Sequence, residues 1–211
     1  MLLYSYFRSS CSWRVRIALA LKNIKYEYKP INLLKSEQQS DEYKLINPSG
    51  SVPCLVTKGH TLTQSQAIME YLDEVYPDGH ALLPKDDPIK RATVRKLSNV
   101  IAADIQPVQN LRILKKVGSE TKMEWGHWAI HCGFVVLEKM LAETAGKYCF
   151  GDEITMVDCC LAPQVYNANR FKVDMSEFPI ISRVNEELMK HDAFLTSRPE
   201  AQSDCPEELR S

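Results

Sequence analysis

Ser9-Ser10-Cys11-Ser12-Trp13-Arg14-Val15-Arg16 separates an apolar segment, Leu2-Leu3-Tyr4-Ser5-Tyr6, from a run that places Val15, Ala18, Leu19 and Leu21 at helical spacing. The pattern predicts a strand over Leu2–Tyr6, then a turn, then a helix over Ser12–Lys22 that Asn23 ends. The turn sets its hydroxyls and thiol at a helix start, where free N–H groups and the macrodipole favour an anion, including a thiolate. One serine, Ser9 or Ser12, is enough to cap a helix. Three hydroxyls and a thiol in four residues point beyond capping, to function.

Working outward, Ile24, Tyr26 and Tyr28 alternate along a second strand, Ile24–Ile31. Gln38–Tyr43 reads as a polar loop with a short helix, and Asn47-Pro48-Ser49-Gly50 as a turn. Cys54–Val56 and Thr61–Thr63 flank Lys58-Gly59 as a hairpin, and Ser65 is placed to cap a helix with Ile68, Leu72 and Val75 on one face. The order β-α-β-α-β-β-α implies one right-handed parallel crossover followed by a hairpin. Pro77-Asp78-Gly79 closes this unit and Leu82–Asp87 reads as a linker, so the expected domains are 1–82 and 87–211.

Asp87-Pro88 is a strong helix start, with Asp at the N-cap and Pro at N1. Beyond it the pattern is helical throughout: 88–117 with a kink at Pro107, about 120–145, 155–171 and 179–191. Gly146 suits the position after a helix C-cap. Thr155-Met156-Val157-Asp158 is a capping-box pattern, so Asp158 is read as a local cap and not as a catalytic acid. Residues from Pro199 to the end are polar and expected to run loosely over the surface.

The 211 residues carry a formal net charge of −1, which gives no support to nucleic-acid or membrane-surface binding. The start of the chain reads as a strand and not as a secretory leader, and no apolar run has the length of a membrane span. Seven cysteines, with no C-x-x-C pair, read mostly as small buried hydrophobes of a reducing compartment, so a cytoplasmic location is expected. His127 and His131 share a helix face without a supporting ligand spacing, and no metal is expected.

Two further features converge on the helix-one turn. A cis bond at Val52-Pro53 would expose backbone groups able to pair with an extended peptide, as an added strand does. Gln64-Ser65 stands where a helix start can hold a carboxylate and the glutamine can bond an adjacent ammonium. With these in place, residues 1–80 resemble the thioredoxin-like α/β domain of glutathione transferases, followed by their all-α C-terminal domain. The Ser9–Arg16 run is similar to the signature of the zeta class, the maleylacetoacetate isomerases. The likeness extends to Gln106-Pro107-Val108-Gln109-Asn110-Leu111 and Asn169-Arg170-Phe171-Lys172-Val173-Asp174.

The resemblance implies that Ser9, Ser10 and Cys11 line a thiol site. It implies that Gln39, Val52, Pro53, Gln64 and Ser65 hold glutathione, with Gln106 and Asn110 completing the cleft. Arg170, with Arg8 and Arg112 as competitors, would bind the small-molecule substrate through its carboxylates; Arg14 is read as more suited to a structural ion pair. A homodimer is implied as well. The implied reaction is glutathione-dependent cis-trans isomerisation of maleylacetoacetate in tyrosine and phenylalanine breakdown, with side activity toward small electrophiles such as α-halo acids. A double bond cannot rotate, so a thiolate adds reversibly, leaves a single bond for a moment, and is expelled unchanged.

The chemistry is within reach of these residues. Moving a thiol from about 8.5 to about two pH units lower takes ~2.7 kcal/mol of preferential anion stabilisation. One charge-assisted bond from a serine hydroxyl gives ~1.5–3 kcal/mol and the helix terminus ~0.5–1 kcal/mol. Ser9 is assigned the hydroxyl role first. Two other readings are thiol oxidoreduction through Cys11 and a non-catalytic glutathione transferase-like module. Against the first, no partner cysteine stands three residues on. Against the second stands the intact serine run with Gln64-Ser65 and Arg170.

Overall fold

β1 (Leu2–Ser5) is the hub of a four-stranded sheet in the computed structural model, which describes residues 1–210. It pairs in parallel with β2 (Glu27–Pro30) and antiparallel with β3 (Cys54–Thr57), which in turn pairs antiparallel with β4 (His60–Thr63), giving the order β2-β1-β3-β4. The parallel pair needs a crossover, and α1 (Ser10–Leu21) supplies it. Period-two alternation divides the side chains. Leu3 and Leu55, partners across β1 and β3, are fully buried. Tyr4 and Cys54, the next pair along, join a separate cluster with Tyr6, Phe7, Ile31, Tyr43, Val52 and Cys205.

The β3–β4 turn has Lys58 and Gly59 both at positive φ, 49° and 78°, the geometry of a two-residue hairpin loop whose twist matches its strands. A short helix, α2 (Asp41–Ile46), precedes β3, and α3 (Ser65–Val75) follows β4. Ile68 and Leu72 are buried as expected, whereas Val75, in the last turn, is 37% exposed.

The second unit is helical: α4 (Pro88–Asn99), α5 (Leu111–Val117), α6 (Lys122–Thr144), α7 (Met156–Arg170) and α8 (Pro179–Leu188). Asp87 caps α4 by accepting from the N–H groups of Ile89 and Lys90 at 2.9 and 3.0 Å, with Pro88 at N1. The helix expected over 88–117 is broken in two. Val100–Ile105 widens into a π-helical segment in which Gln106 N–H reaches Ile101 O at 2.9 Å. Pro107 has no N–H to continue the ladder, and the chain turns until Asn110 caps α5. Gly146 stands after the C-cap of α6, as expected, but without the left-handed conformation such a position usually takes. Crowding selects glycine instead: a Cβ would lie 2.5 Å from Asp152 Oδ1 and 2.8 Å from Gly151 backbone.

At the start of α7 the Asp158 carboxylate accepts from Thr155 N–H (2.7 Å), Thr155 Oγ1 (3.0 Å) and Cys149 N–H (2.9 Å). Burial pushes this carboxyl's pKa up, and the donors around it oppose that shift. These contacts complete the capping box read from Thr155-Met156-Val157-Asp158.

The chain's own contacts divide it as Met1–Leu82 with everything from Asp192 onward, and Leu83–His191. The end of the chain is therefore part of the first unit, not of a domain running from 87 to the C-terminus, and it is not loose. α9 (Asp192–Ser197) packs on α1, where Trp13 Nε1 donates to Ser197 Oγ at 3.0 Å. Asp204 accepts from Phe7 N–H at 2.9 Å and from the Tyr28 hydroxyl at 2.6 Å. A polar tail can dock this firmly because its carboxylate meets donors that the sheet end leaves unpaired. Five of the seven cysteines are buried, with Cys11 half-buried and Cys132 exposed. Among the described residues no helix is long and apolar enough to cross a membrane.

Candidate active site

Three chain reversals of the first unit carry the candidate residues. In the β1–α1 turn, Ser9 sits in extended conformation at the N-cap, and its Oγ accepts from Ser12 N–H at 3.2 Å. The helix thus begins at Ser10, two residues before the start expected at Ser12. Ser9 and Cys11 are half-buried and Ser10 is 8% exposed. The N–H groups of Ser10 and Cys11 lie in the first turn, where no intrahelical acceptor exists. Ser12 is fully buried and its Oγ has no partner, so of the hydroxyl run Ser9 and Ser10 are the ones a ligand can reach.

The turn is held from behind by Arg16, which is fully buried. Its guanidinium donates to Ser5 Oγ (3.1 Å), Tyr6 O (3.3 Å), Phe7 O (2.9 Å) and Ser197 O (3.0 Å). Burial lowers its pKa, and the carbonyls around it stand in for the water it has lost. Arg16 and Asp204 together fix both sides of the Phe7 peptide just before the serines.

The second reversal leads into β3. The Val52-Pro53 bond is cis, and Val52 is 8% exposed. Among the described residues neither its N–H nor its C=O has a partner. Such a group is suited to an added strand, the pairing expected of Val52 and Pro53. Gln39, the last residue of a short 3-10 turn, is exposed and its amide donates to Gly50 O at 3.1 Å, which ties it to the turn before Val52.

The third reversal joins β4 to α3. Gln64, not Ser65, occupies the N-cap; Ser65 is the first helical residue. Gln64 has φ 67° and ψ 113°, a region non-glycine residues rarely occupy, and makes no side-chain capping bond. Its side-chain amide is thus not spent on capping α3. Ser65 is 7% exposed, and its Oγ accepts from Arg14 Nη1 at 3.2 Å. Arg14 therefore makes no ion pair with a carboxylate among the described residues, contrary to the expectation for it.

These reversals fit the chemistry of glutathione: two helix starts for anionic groups, an unpaired peptide unit for its backbone, and a strained glutamine beside a buried cation. Of the arginines in this unit, Arg8 is half-buried with its guanidinium carbon 5.6 Å from the Phe7 ring centre.

The second unit holds the remaining candidates. Gln106 is buried in the turn after the π-helical segment, and Asn110 caps α5 by accepting from Arg112 N–H at 3.2 Å. Arg112 is exposed. Arg170 ends α7, exposed, with its guanidinium carbon 6.0 Å from the Phe171 ring centre. Phe171 is locked in place. Its C=O faces His127 Nδ1 at 3.2 Å, and a Cβ on Gly126 would lie 2.3 Å from the ring, so glycine is required there. His131 does not share the contact of His127 but pairs with Glu177 at 3.1 Å.

Sequence reasoning missed the supporting roles of Arg16, Asp204 and His127, which hold the backbone of residues adjoining the candidates Arg8 and Arg170. Only Arg16 left a local trace, as the last residue of the signature run.

The N-terminal domain of glutathione S-transferases matches residues 1–74. Mouse maleylacetoacetate isomerase is 56% identical over 212 aligned positions, covering 100% of this chain and 97% of that protein. The maleylacetoacetate isomerase of Dictyostelium discoideum is 48% identical, covering 96% of this chain and 95% of its own length. Among solved structures, the holo form of maleyl pyruvate isomerase, a bacterial zeta-class glutathione S-transferase, is similar with TM-score 0.93 and 41% identity over 98% of this chain and 100% of that one. Maleylacetoacetate isomerase from Anaeromyxobacter dehalogenans 2CP-1, with glutathione bound in its active site, is similar with TM-score 0.88 and 40% identity over 97% of each chain. Identity of this order along the whole length shows that the chain belongs to the maleylacetoacetate isomerase family, the zeta class of glutathione transferases.

Proposed function

We propose that this chain converts maleylacetoacetate to fumarylacetoacetate, late in tyrosine and phenylalanine breakdown, with glutathione as a recycled catalyst. The observation that carries the reading is the Ser9 cap. Its oxygen is occupied by Ser12 N–H, so its own hydrogen remains to donate to an anion at the start of α1. Glutathione supplies a thiolate that adds to the cis alkene and later leaves, so that rotation takes place about a single bond. Ser9, with Ser10 and the first-turn N–H groups, holds that sulfur as an anion. Val52 pairs with the peptide backbone, and Gln39 closes the same side. Gln64 and Ser65 hold the γ-glutamyl end.

In the second unit, Gln106 and Asn110 are assigned to glutathione, and Arg170 to the substrate carboxylates, with Arg8 and Arg112 in lesser roles. Small electrophiles such as α-halo acids are proposed as side substrates. A cytoplasmic homodimer is the proposed working form, as the family resemblance implies.

Incubating protein, glutathione and maleylacetone, and following loss of the cis-enone absorbance, tests the reaction directly. Cys11→Ala serves as the internal control. Glutathione provides the nucleophile, so the variant should keep at least about a tenth of the isomerase rate, one hydrogen-bonding contact's worth. Any thiol-transferase activity should disappear with Cys11. A folded Cys11→Ala protein with no isomerase activity would move the chemistry onto the resident thiol.

Ser65→Ala should weaken glutathione binding by about 1–2 kcal/mol, because a hydrogen bond to a charged group is lost at a nearly buried position. Titration calorimetry on the two proteins measures this. Equal affinities would leave Ser65 as a part of α3 only.

A further inference from the structure

Arg14 is 1% exposed, yet it has no anionic partner. Its Nη1 donates to Ser65 Oγ at 3.2 Å, while Nε and Nη2 are buried without any hydrogen bond. A guanidinium taken out of water in this way is expensive, and it persists where something else compensates it. Arg16, two residues on, shows the contrast: it is equally buried but every face of its guanidinium meets an acceptor. The difference is therefore local to Arg14 and to the place at which it is aimed, the N-terminus of the eleven-residue helix α3.

Guanidinium has donors only, so Ser65 Oγ must accept in their bond. The serine's hydrogen is then turned away from Arg14, available to a ligand. Behind it stands a full positive charge in a medium of low polarity, where Coulomb attraction is strong. Gln64, strained into positive φ immediately before, keeps the helix start clear of the usual side-chain cap.

We infer that Arg14 is the fixed counter-charge for the γ-glutamyl carboxylate of glutathione. It positions the Ser65 hydroxyl as a donor and supplies the charge that Ser65 and the helix terminus lack. Arg14 is thus a positioning and specificity residue that acts from beneath the site, and a buried cation is left for the ligand to neutralise. The inference rests on the proposal that Ser65 receives that carboxylate.

The test compares glutathione with 4-aminobutanoyl-cysteinyl-glycine, which is glutathione without its γ-glutamyl carboxylate, by calorimetry on the full chain. The readout is the ratio of the two dissociation constants. Arg14→Met should lower the parent's preference for glutathione at least tenfold while changing affinity for the shortened peptide less than twofold. Arg14→Gln, which keeps an N–H donor but no charge, should lower the preference at least fivefold and serves if the methionine variant does not fold. A preference within twofold of the parent's, in whichever variant folds, would overturn the inference and make Arg14 a structural tie between α1 and α3. A parent protein that does not distinguish the two peptides would instead remove the γ-glutamyl reading of Ser65, and the role of Arg14 with it.

Discussion

Ser9→Ala is expected to slow maleylacetone isomerisation ten- to a hundredfold near neutral pH and to recover most of that loss at alkaline pH. The serine hydroxyl does two things at once. Its oxygen accepts Ser12 N–H and caps α1; its hydrogen is left for the sulfur of bound glutathione. Losing a hydrogen bond to an anion removes ~1.5–3 kcal/mol, and each ~1.4 kcal/mol shifts a titration by about one pH unit. The bound thiol's pKa should therefore rise by about one to two. The sign follows from which form is favoured: the hydroxyl stabilises the thiolate, so its removal lowers the thiolate fraction below the new midpoint and leaves it unchanged above. The capping function adds a loss of ~1 kcal/mol in stability, a fall of ~2–4 °C in Tm for a chain of this size. Capping loss does not depend on pH in this way. A pH-rate profile with spectroscopic titration of the bound thiolate separates the two, and Ser9→Thr, which keeps the hydroxyl, should restore activity. A loss equal at every pH would reduce Ser9 to a helix cap.

The residues that were legible in the sequence are those whose work is local. Asp87-Pro88 and the Thr155–Asp158 box act within three residues, so their spacing alone predicts the bonds that form. The Ser9–Arg16 run is legible in the same way as far as Ser9 caps a helix. Arg14 and Arg16 were not, because charged residues on a helix normally face water, and the partners that hold them here lie outside α1, some of them far off in the chain. Ser65 is 51 positions from Arg14, and Ser197 is 181 from Arg16. The same distance hid the tail, where Asp204 meets Phe7 N–H across 197 positions. Ser65 was read as the N-cap because serine is a favoured cap. Its hydroxyl is instead engaged by Arg14, and the strained Gln64 takes the cap position. The π-helical widening at Val100–Ile105 also escapes periodicity, since its buried Ile101 and Ile105 are four residues apart, a spacing that an ordinary α-helix shows as well.

Arg170→Ala should lower kcat/KM for maleylacetone by about ten- to a hundredfold, the loss expected for one charge-assisted contact in the transition state. The substrate carries carboxylate charge and develops more as its alkene is polarised, so its pocket needs a cation held in place. A planar fork suits that need, because it pairs a carboxylate through two parallel bonds. Arg170 ends α7, where the macrodipole alone would favour a basic residue, and this is the bland account of it. Its surroundings are more specific than that account requires. The guanidinium lies against Phe171, whose ring is seated on Gly126 and whose carbonyl accepts from His127; a carbonyl cannot donate, so the Nδ1 proton is on the histidine. Phe171, the residue that follows Arg170, is thus fixed through its ring and its carbonyl, which preorganises the arginine at small entropic cost. Kinetics on a charged and an uncharged electrophile distinguish the two accounts. If Arg170 binds carboxylate, the neutral substrate and glutathione affinity should change less than about threefold, and Arg170→Lys should recover only part of the charged-substrate rate because the fork is lost. Equal losses on both substrates would mean that Arg170 supports the end of α7, and the carboxylate would have to be met by Arg8 or Arg112.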